Sequence, residues 1–170
     1  MTGAEGESLT HPGDPVWREE GRGFRRWQKT TVLGCGDDVW RWAAAEVLRW
    51  GVKTRSGFSV TPATVVTQGS RPIILAHPFG LSVREPVEVV EIIDTSDRVG
   101  FAYRTLAGHP VSGEEAFVVH RDGDLVLLTI RSLTRPASGL PWRALYPALL
   151  VAQSVARRRY VRALRRRASP

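Results

Sequence analysis

The stretch "GFAYRTLAGHPVSGEEAFVV", residues 100–119, has the pattern of two β-strands joined by a short loop. We predict strands at residues 99–106 and 114–121, with Gly108, Pro110 and Gly113 shaping the loop between them. A connection this short joins antiparallel neighbours, so the two strands form a hairpin.

The alternation of side chains along these strands indicates which residues share a face. If the aromatic residues of both strands face the interior, Tyr103, Glu115 and Phe117 lie together there. A phenol and a carboxylate in an apolar pocket form a polar anchor for a ligand. The alternative is an internal hydrogen bond that satisfies both groups, with Gln153 or Tyr160 as a further partner.

His109 lies in the hairpin loop and is a candidate for proton transfer. Imidazole exchanges a proton near neutral pH, and Glu114 or Glu115 could orient it. In that interpretation His109 is a base, Glu115 its orienter and Tyr103 a hydrogen-bond donor. In the structural alternative the ring bonds to loop backbone and closes the turn. We favour the structural role for His109 alone, and expect a polar site that contains Tyr103 and Glu115.

Two arginines lie near the end of the last predicted strand, at residues 124–135. Arg131 or Arg135 at the mouth of a pocket could hold a carboxylate or phosphate with two parallel hydrogen bonds. The alternative is an ion pair with a local acid, or a solvated side chain.

Outward from the hairpin, the pattern continues with short strands and two helices. Apolar residues at helical spacing follow Asp37 and predict a helix that runs to Gly51. The residues from 148 onward predict a long helix, with a break at Pro147 and a short turn before it. Other extended segments are predicted at residues 21–33, 58–61, 64–68, 72–77 and 87–94.

This order predicts an α+β domain in which a curved antiparallel sheet grips a long C-terminal helix. The apolar stripe of that helix, with Leu149, Ala152, Ala156 and Tyr160, must cover the concave face of the sheet. A gap between a curved sheet and one helix is a natural ligand pocket. The domain is expected at residues 21–165, after a disordered arm at 1–20 and before a basic tail at 166–170.

The composition limits the classes of function. The chain of 170 residues has a formal net charge of +7, and its last fourteen residues contain seven arginines, whereas lysine occurs only at positions 29 and 53. The arginine-rich helix could bind nucleic acid or an acidic partner, which is the alternative function. We regard nucleic acid as an unlikely partner, because the remaining residues carry no basic surplus.

Other features argue against metal, secretion and a membrane span. The four histidines are scattered without metal-ligand spacing, so we predict no metal and no cofactor. The single cysteine, Cys35, and the absence of a secretion signal favour the cytoplasm. No apolar run approaches the length of a membrane helix. The oligomeric state is not indicated.

The hairpin, the segment "IRSLTRP" and the terminal "RRRYVRAL" together resemble the domain-of-unknown-function family nineteen-ninety, which occurs in bacteria and plants. The resemblance is carried mainly by residues 100–103, 105–106, 108–110 and 113–117. It departs at Arg104, where glycine is usual, and at Val111, where an acidic residue is commoner. It implies membership of the helix-grip, START-like superfamily, which includes lipid carriers and polyketide cyclases. The expected function is binding of a small apolar or amphipathic molecule, with acid–base chemistry of cyclase or isomerase type left open.

Overall fold

One antiparallel sheet forms the body of the molecule. The computed structural model describes residues 8–18, 23–77, 80, 82–137 and 140–165, and at 140–143 it describes only the backbone. Within these residues the strands are β1 (Arg25–Cys35), β2 (Ser59–Thr61), β3 (Ile73–Ala76), β4 (Val83–Asp94), β5 (Arg98–Thr105), β6 (Val111–Asp122) and β7 (Leu125–Pro136). Their order in the sheet is β1-β7-β6-β5-β4-β3-β2, and each neighbouring pair is antiparallel.

The predicted hairpin is β5 and β6, near the centre of the sheet. Tyr103 is paired with Glu115, and Phe101 is paired with Phe117. Directly paired residues point to the same side of a sheet, so these four side chains share one face. Irregularities in register in β1 and β4 bend the sheet, and this face, which contributes to the main core, is its concave side.

The early helix is interrupted before the point that the sequence predicts. It forms α1 (Asp37–Val47), and after a turn a second short helix follows, α2 (Gly51–Thr54). A Cβ atom on Gly51 would lie 2.6 Å from the carbonyl oxygen of Glu46, so the turn requires glycine. The turn directs Lys53 into the interior, where only 3% of its surface is exposed.

The long terminal helix, α3 (Leu140–Ala163), lies across the concave face as predicted. Its last turns pack tightly, and Tyr160 and the following Leu164 are buried in the main core. Earlier along the helix, Leu149, Ala152 and Ala156 face the sheet across a cavity.

Pro147 does not break this helix, contrary to the sequence-based prediction. Proline at this position removes one hydrogen bond, to the carbonyl of residue 143. Pro147 is exposed, so water can satisfy that carbonyl, and the helix continues through it.

The strand predicted at residues 64–68 is also absent from the described structure. The segment is extended but pairs with no strand. Val66 is buried, and its backbone N–H donates to the carbonyl of Leu48 at 2.8 Å. This segment is therefore held by contact with the end of α1, and not by pairing with a neighbouring strand.

The N-terminal residues differ most from the prediction of a disordered arm at 1–20. Residues 8–18, here called the N-terminal strap, lie on the outer, convex face of the sheet, and Ser8, Thr10 and Trp17 are buried. Residues 1–7, 19 and 20 lie outside the described residues, as does the predicted basic tail at 166–170. The arm prediction is thus wrong for the strap, because its polar groups find partners on β6 and β7.

A search of the described helices finds none that combines the length and apolar character required to cross a bilayer.

Candidate functional site

A cavity of about 610 Å³ lies between the concave face of the sheet and residues 148–160 of α3. Its walls are mainly apolar, and polar side chains gather at the end near α2. The apolar walls include Phe58, Ala76, Val83, Pro110, Val111, Leu149, Val151, Ala152, Val155 and Ala156, and the polar residues include Lys53, Glu85, Tyr103, Thr105, His109, Glu115, Ser132, Thr134, Gln153, Arg159 and Tyr160.

Lys53 is the centre of the polar end. Its Nζ lies 2.9 Å from Oε2 of Glu115 and donates to the hydroxyl of Tyr160 at 2.6 Å. The hydroxyl of Tyr103 donates to the same Glu115 oxygen. The ammonium also lies 4.9 Å from the centroid of the Phe58 ring, within the range of a cation–π contact.

These contacts determine the charges of the cluster. Burial, the largest single cause, lowers the pKa of Lys53, but Glu115, the two tyrosines and Glu85 together outweigh it, and the pKa is raised well above its usual value. Burial and the Glu115 charge both raise the pKa of Tyr103. Near neutral pH the cluster therefore contains an ammonium paired with a carboxylate, and neutral phenols.

His109 and Glu85 form a second polar pair in the same cavity. The backbone N–H of Val111 donates to Nδ1 of His109 at 3.1 Å, so the ring closes its own turn as the structural interpretation predicts. Burial, and then the charge of Lys53, lower the pKa of His109 to about 3. The ring is therefore neutral, and its remaining proton is on Nε2, which lies 3.8 Å from Oε2 of Glu85.

Glu85 is itself an unusual carboxyl group. Burial raises its pKa, Lys53 opposes this, and Glu115 adds to it. A distance of 3.8 Å exceeds the range of a hydrogen bond, so Glu85 and His109 face each other without forming one.

Two further polar atoms at the cavity lack partners. Oγ1 of Thr134 and Oε1 of Gln153 are buried without a hydrogen bond among the described residues. Thr134 as a whole is only 5% exposed. Unsatisfied polar atoms are rare in folded proteins, and at a cavity they are available to a ligand.

Four of the residues predicted for the site line the cavity: Tyr103, Glu115, His109 and Gln153. The acid nearest to His109 is Glu85, not the predicted Glu114 or Glu115. Phe117 is fully buried and packs edge-on against Tyr160, with ring centroids 5.5 Å apart. It supports the cavity wall and does not form its surface.

The prediction that Arg131 lies at the pocket mouth is wrong. Its neighbour Ser132 is paired with Glu115, which faces the cavity, so the alternation of β7 places Arg131 on the convex face. There it is buried and donates to the strap carbonyls of Thr10 at 3.0 Å and Asp14 at 2.6 Å, and also to that of His11.

Glu114 holds the strap from the neighbouring strand. Its carboxylate accepts hydrogen bonds from the backbone N–H groups of Leu9 and Thr10, at 3.1 and 2.8 Å, and from the hydroxyls of Ser8 and Thr10. It therefore faces away from the cavity-lining Glu115, which is its neighbour in the chain.

Arg135 does not belong to the cavity either. Its guanidinium lies 4.5 Å from the centroid of the Phe24 ring, and its Nε donates to Ser112 at 3.4 Å. Of the two departures from the resembling family, Arg104 pairs with Glu88 on the outer face at 2.6 Å. Val111, the other departure, lines the cavity.

Sequence reasoning missed Lys53 and Glu85. Lys53 carried a signal, since it is one of only two lysines in a chain that otherwise uses arginine. Glu85 precedes the predicted start of its strand at residue 87, and the true start at Val83 places it in the alternating row that faces the cavity.

Several arginines of the terminal helix are used in packing. Arg157 is buried, donates to Ser132 at 3.3 Å, and lies 4.6 Å from the centroid of the Trp27 ring. Arg165 donates to Thr31 at 2.8 Å. These contacts weaken the alternative of a nucleic-acid surface, because they engage cations that such a surface would need.

Among the described residues no group of three or more histidine, cysteine, aspartate or glutamate side chains has the arrangement of a metal site.

Comparison with known sequences identifies a family. The family model described as "Domain of unknown function (DUF1990)" matches residues 11–163. A relative described as a UPF0548 protein, from Deinococcus radiodurans, is 34% identical over an alignment that covers 91% of this chain and 80% of the relative.

Solved structures share the fold at low sequence identity. The hypothetical protein jhp0584 from Helicobacter pylori has a TM-score of 0.60 at 15% identity, covering 83% of this chain and 86% of its own. The protein TTHA0849 from Thermus thermophilus has a TM-score of 0.57 at 14% identity, with coverages of 83% and 94%. Ara h 8.0201 has a TM-score of 0.50 at 7% identity, with coverages of 84% and 99%. These likenesses show the helix-grip fold.

Proposed function

Because this chain belongs to the DUF1990 family and has the helix-grip fold, we propose that it binds one small apolar or amphipathic molecule in the cavity beneath α3. The observation that carries the proposal is the cavity itself. Its volume of about 610 Å³ is in the range of small-molecule sites, and apolar walls end in a small set of polar groups. The apolar body of the ligand would lie along α3 and its polar end near Lys53, Glu85 and His109.

The middle of α3 has the exposure expected of a cavity cover. Val151 and Val155 line the mouth and remain 65% and 45% exposed, although both are apolar. A bound ligand would remove part of this surface from water, which stabilises the complex by about 25 cal/mol for each Å² buried.

The experiment is a titration with N-phenyl-1-naphthylamine, a neutral dye whose fluorescence rises in apolar sites. We expect saturable binding by the wild-type protein. Ala152→Trp places an indole in the cavity and should abolish the binding, whereas Ser154→Trp adds the same group at an exposed position of the same helix and should not. Equal binding by both variants would place the dye elsewhere and contradict the proposal.

We propose that His109 acts as a hydrogen-bond donor in the cavity, and not as the base that the sequence suggested. Its Nδ1 lone pair accepts the Val111 N–H, and its Nε2 carries the proton. A neutral ring in this state donates a hydrogen bond and has no lone pair free to remove a proton.

Acid–base chemistry of the isomerase type is a second proposal, and the observation that favours it is Glu85. Burial raises the pKa of this carboxyl group above its ordinary value, which makes it a better proton acceptor than an exposed carboxylate, and it lies in the cavity facing His109. Exchange of the α-hydrogens of decan-2-one in D₂O, followed by mass spectrometry, would test it. We expect exchange to be lost in Glu85→Gln while dye binding remains, and equal exchange in both proteins would contradict a role for Glu85.

The cytoplasmic location expected from the single cysteine stays a prediction.

A further inference from the structure

The structure assigns a specific polar group to the ligand: we propose that the gap between Glu85 and His109 receives a neutral hydroxyl group, so that the cavity selects apolar alcohols or phenols over carboxylic acids. This inference rests on the proposed function, since it concerns the same cavity. It goes beyond it by naming the chemical class of the ligand.

The geometry of the pair fits one oxygen atom. Nε2 of His109 and Oε2 of Glu85 are 3.8 Å apart, which is too far for a direct hydrogen bond. A single oxygen in the cavity can nevertheless lie at about 2.8 Å from both atoms. Both residues line the cavity, so a ligand can reach this position.

The hydrogen-bonding roles of the two residues are complementary at that position. His109 presents an N–H, because Val111 occupies its other nitrogen. Glu85 presents a carboxylate oxygen. A hydroxyl carries an acceptor and a donor on one atom and satisfies both, whereas a carbonyl or ether oxygen satisfies only His109.

The charges in the cavity oppose a carboxylate at the same place. Lys53 is already paired with Glu115 at 2.9 Å and bonded to Tyr160, so its charge is not free to hold a ligand anion. The exposed Arg159 at the rim donates to the carbonyl of Ser56. The ionisable groups around the polar end belong to the cavity-lining Lys53, Glu85, Glu115, Tyr103, Tyr160, His109 and Arg159, and to the buried Arg157, whose guanidinium donates to Ser132 at 3.3 Å.

The buried cations are therefore engaged by protein groups, Lys53 by Glu115 and Arg157 by Ser132, whereas Glu85 lies directly at the proposed hydroxyl position. A ligand carboxylate beside Glu85 would meet like charge in a region of low dielectric, which strongly disfavours it. The buried lysine, which at first suggests an anion site, is in this arrangement a counterion for Glu115.

The test is displacement of N-phenyl-1-naphthylamine from the wild-type protein by three ligands of equal chain length, at about pH 8 where carboxylic acids are ionised. We expect 1-decanol to displace the dye at about tenfold lower concentration than either 1-methoxydecane or decanoate. The ether retains the acceptor but lacks the donor, so it tests Glu85 without any substitution.

A charge-removing variant tests the second half of the argument. Glu85→Gln keeps a hydrogen-bond acceptor and removes the negative charge, so the preference for decanol over decanoate should fall from about tenfold to near unity. Glu88→Gln makes the same change three residues along the same strand, where the side chain pairs with Arg104 on the outer face, and should keep the preference.

Each result decides between the two proposals. Dye binding without a preference for decanol, or a preference that survives in Glu85→Gln, would overturn the hydroxyl site and leave the binding function standing. Failure of the dye and of all three ligands to bind would overturn the proposed function, and the hydroxyl site with it.

Discussion

At the scale of single residues, Lys53 determines whether the polar end of the cavity is stable. It is the cation in direct contact with Glu115, at 2.9 Å, and the side chain of Glu115 is only 12% exposed. Lys53→Met would leave that carboxylate buried without its counterion, and removing one partner of a buried pair usually costs about 3–5 kcal/mol. We expect a loss near the lower value, about 3 kcal/mol, in the free energy of unfolding measured with urea.

The other lysine supplies the control. Lys29 lies exposed on β1, so Lys29→Met should change stability by less than about 0.5 kcal/mol. The double variant Lys53→Met with Glu115→Gln should recover part of the loss, because it removes both charges. Equal effects of the two lysine substitutions would show that Lys53 is not held as described.

His109 should make the stability of the folded protein decrease as the pH falls. In the folded protein its pKa is lowered from 6.5 to about 3, first by burial and then by Lys53. Between these values the unfolded chain binds the proton and the folded protein does not, so the contribution of His109 to stability is complete above pH 6.5 and is lost as the pH falls. From pH 7 to pH 5 the loss is about 2 kcal/mol.

Other groups titrate in the same pH range, so the effect of His109 is measured as the difference in unfolding free energy between the wild type and a variant. His109→Gln does not titrate, and the gap in unfolding free energy between wild type and variant should change by about 2 kcal/mol over these two pH units. A gap that stays constant would mean that the folded ring is protonated normally.

At the scale of elements, the N-terminal strap depends on β6 and β7 for its position. Glu114 accepts four hydrogen bonds from Ser8, Leu9 and Thr10. Glu114→Gln weakens charge-assisted bonds that are worth about 1.5–3 kcal/mol, so the strap should open more often. We expect cleavage by trypsin after the exposed Arg18 to become at least about tenfold faster, as read by mass spectrometry.

Glu88→Gln is the matched control, because Glu88 lies on the same outer face and contacts Arg71 and Arg104 but not the strap. Its cleavage rate should equal that of the wild type. If both variants were cleaved at the wild-type rate, Glu114 would not be what holds the strap.

The elements also show which features of the fold and the site could be predicted from the sequence. Strand alternation is local, so pairing Tyr103 with Glu115 followed from a few residues on either side of one loop. Arg131 was misplaced by one step of the same alternation, since its neighbour Ser132 is the residue that faces the cavity. Because side chains alternate with a period of two residues, an error of one position moves a side chain to the opposite face of the sheet.

The remaining differences come from contacts between distant segments. The direction of Lys53 depends on the turn at Gly51, which is decided by a close approach to Glu46 that no periodicity reveals. The strap has little apolar content of its own, and it is ordered by Glu114 and Arg131, more than a hundred residues away in the chain. Propensity describes short-range preferences and carries no information about such partners.

At the scale of the whole molecule, the two ends of α3 differ in packing. The last turns are fixed by the buried Tyr160 and Leu164, whereas Leu145 near its start is 50% exposed. A ligand in the cavity should therefore order residues 144–156, which precede the tightly packed last turns, more than the rest of the helix. We expect saturating N-phenyl-1-naphthylamine to slow amide hydrogen exchange at residues 144–156 by about tenfold, with little change in the strap.

The Ala152→Trp protein, whose cavity is filled, should show no such slowing when the dye is added. Slowing that is equal in the strap and at residues 144–156 of α3 would indicate general stabilisation of the fold and not occupation of the cavity. Hydrogen exchange with mass spectrometry resolves the two segments.

The opposite orientations of Glu114 and Glu115 have a consequence for how this gene can vary. Deletion of one codon at the start of β6 would exchange the two carboxylates between the faces of the sheet. The strap would lose its acceptor and Lys53 its counterion in a single event, although no charge had been removed from the protein. Changes of length are thus expected to be absent from Val111–Asp122, which varies by substitution alone.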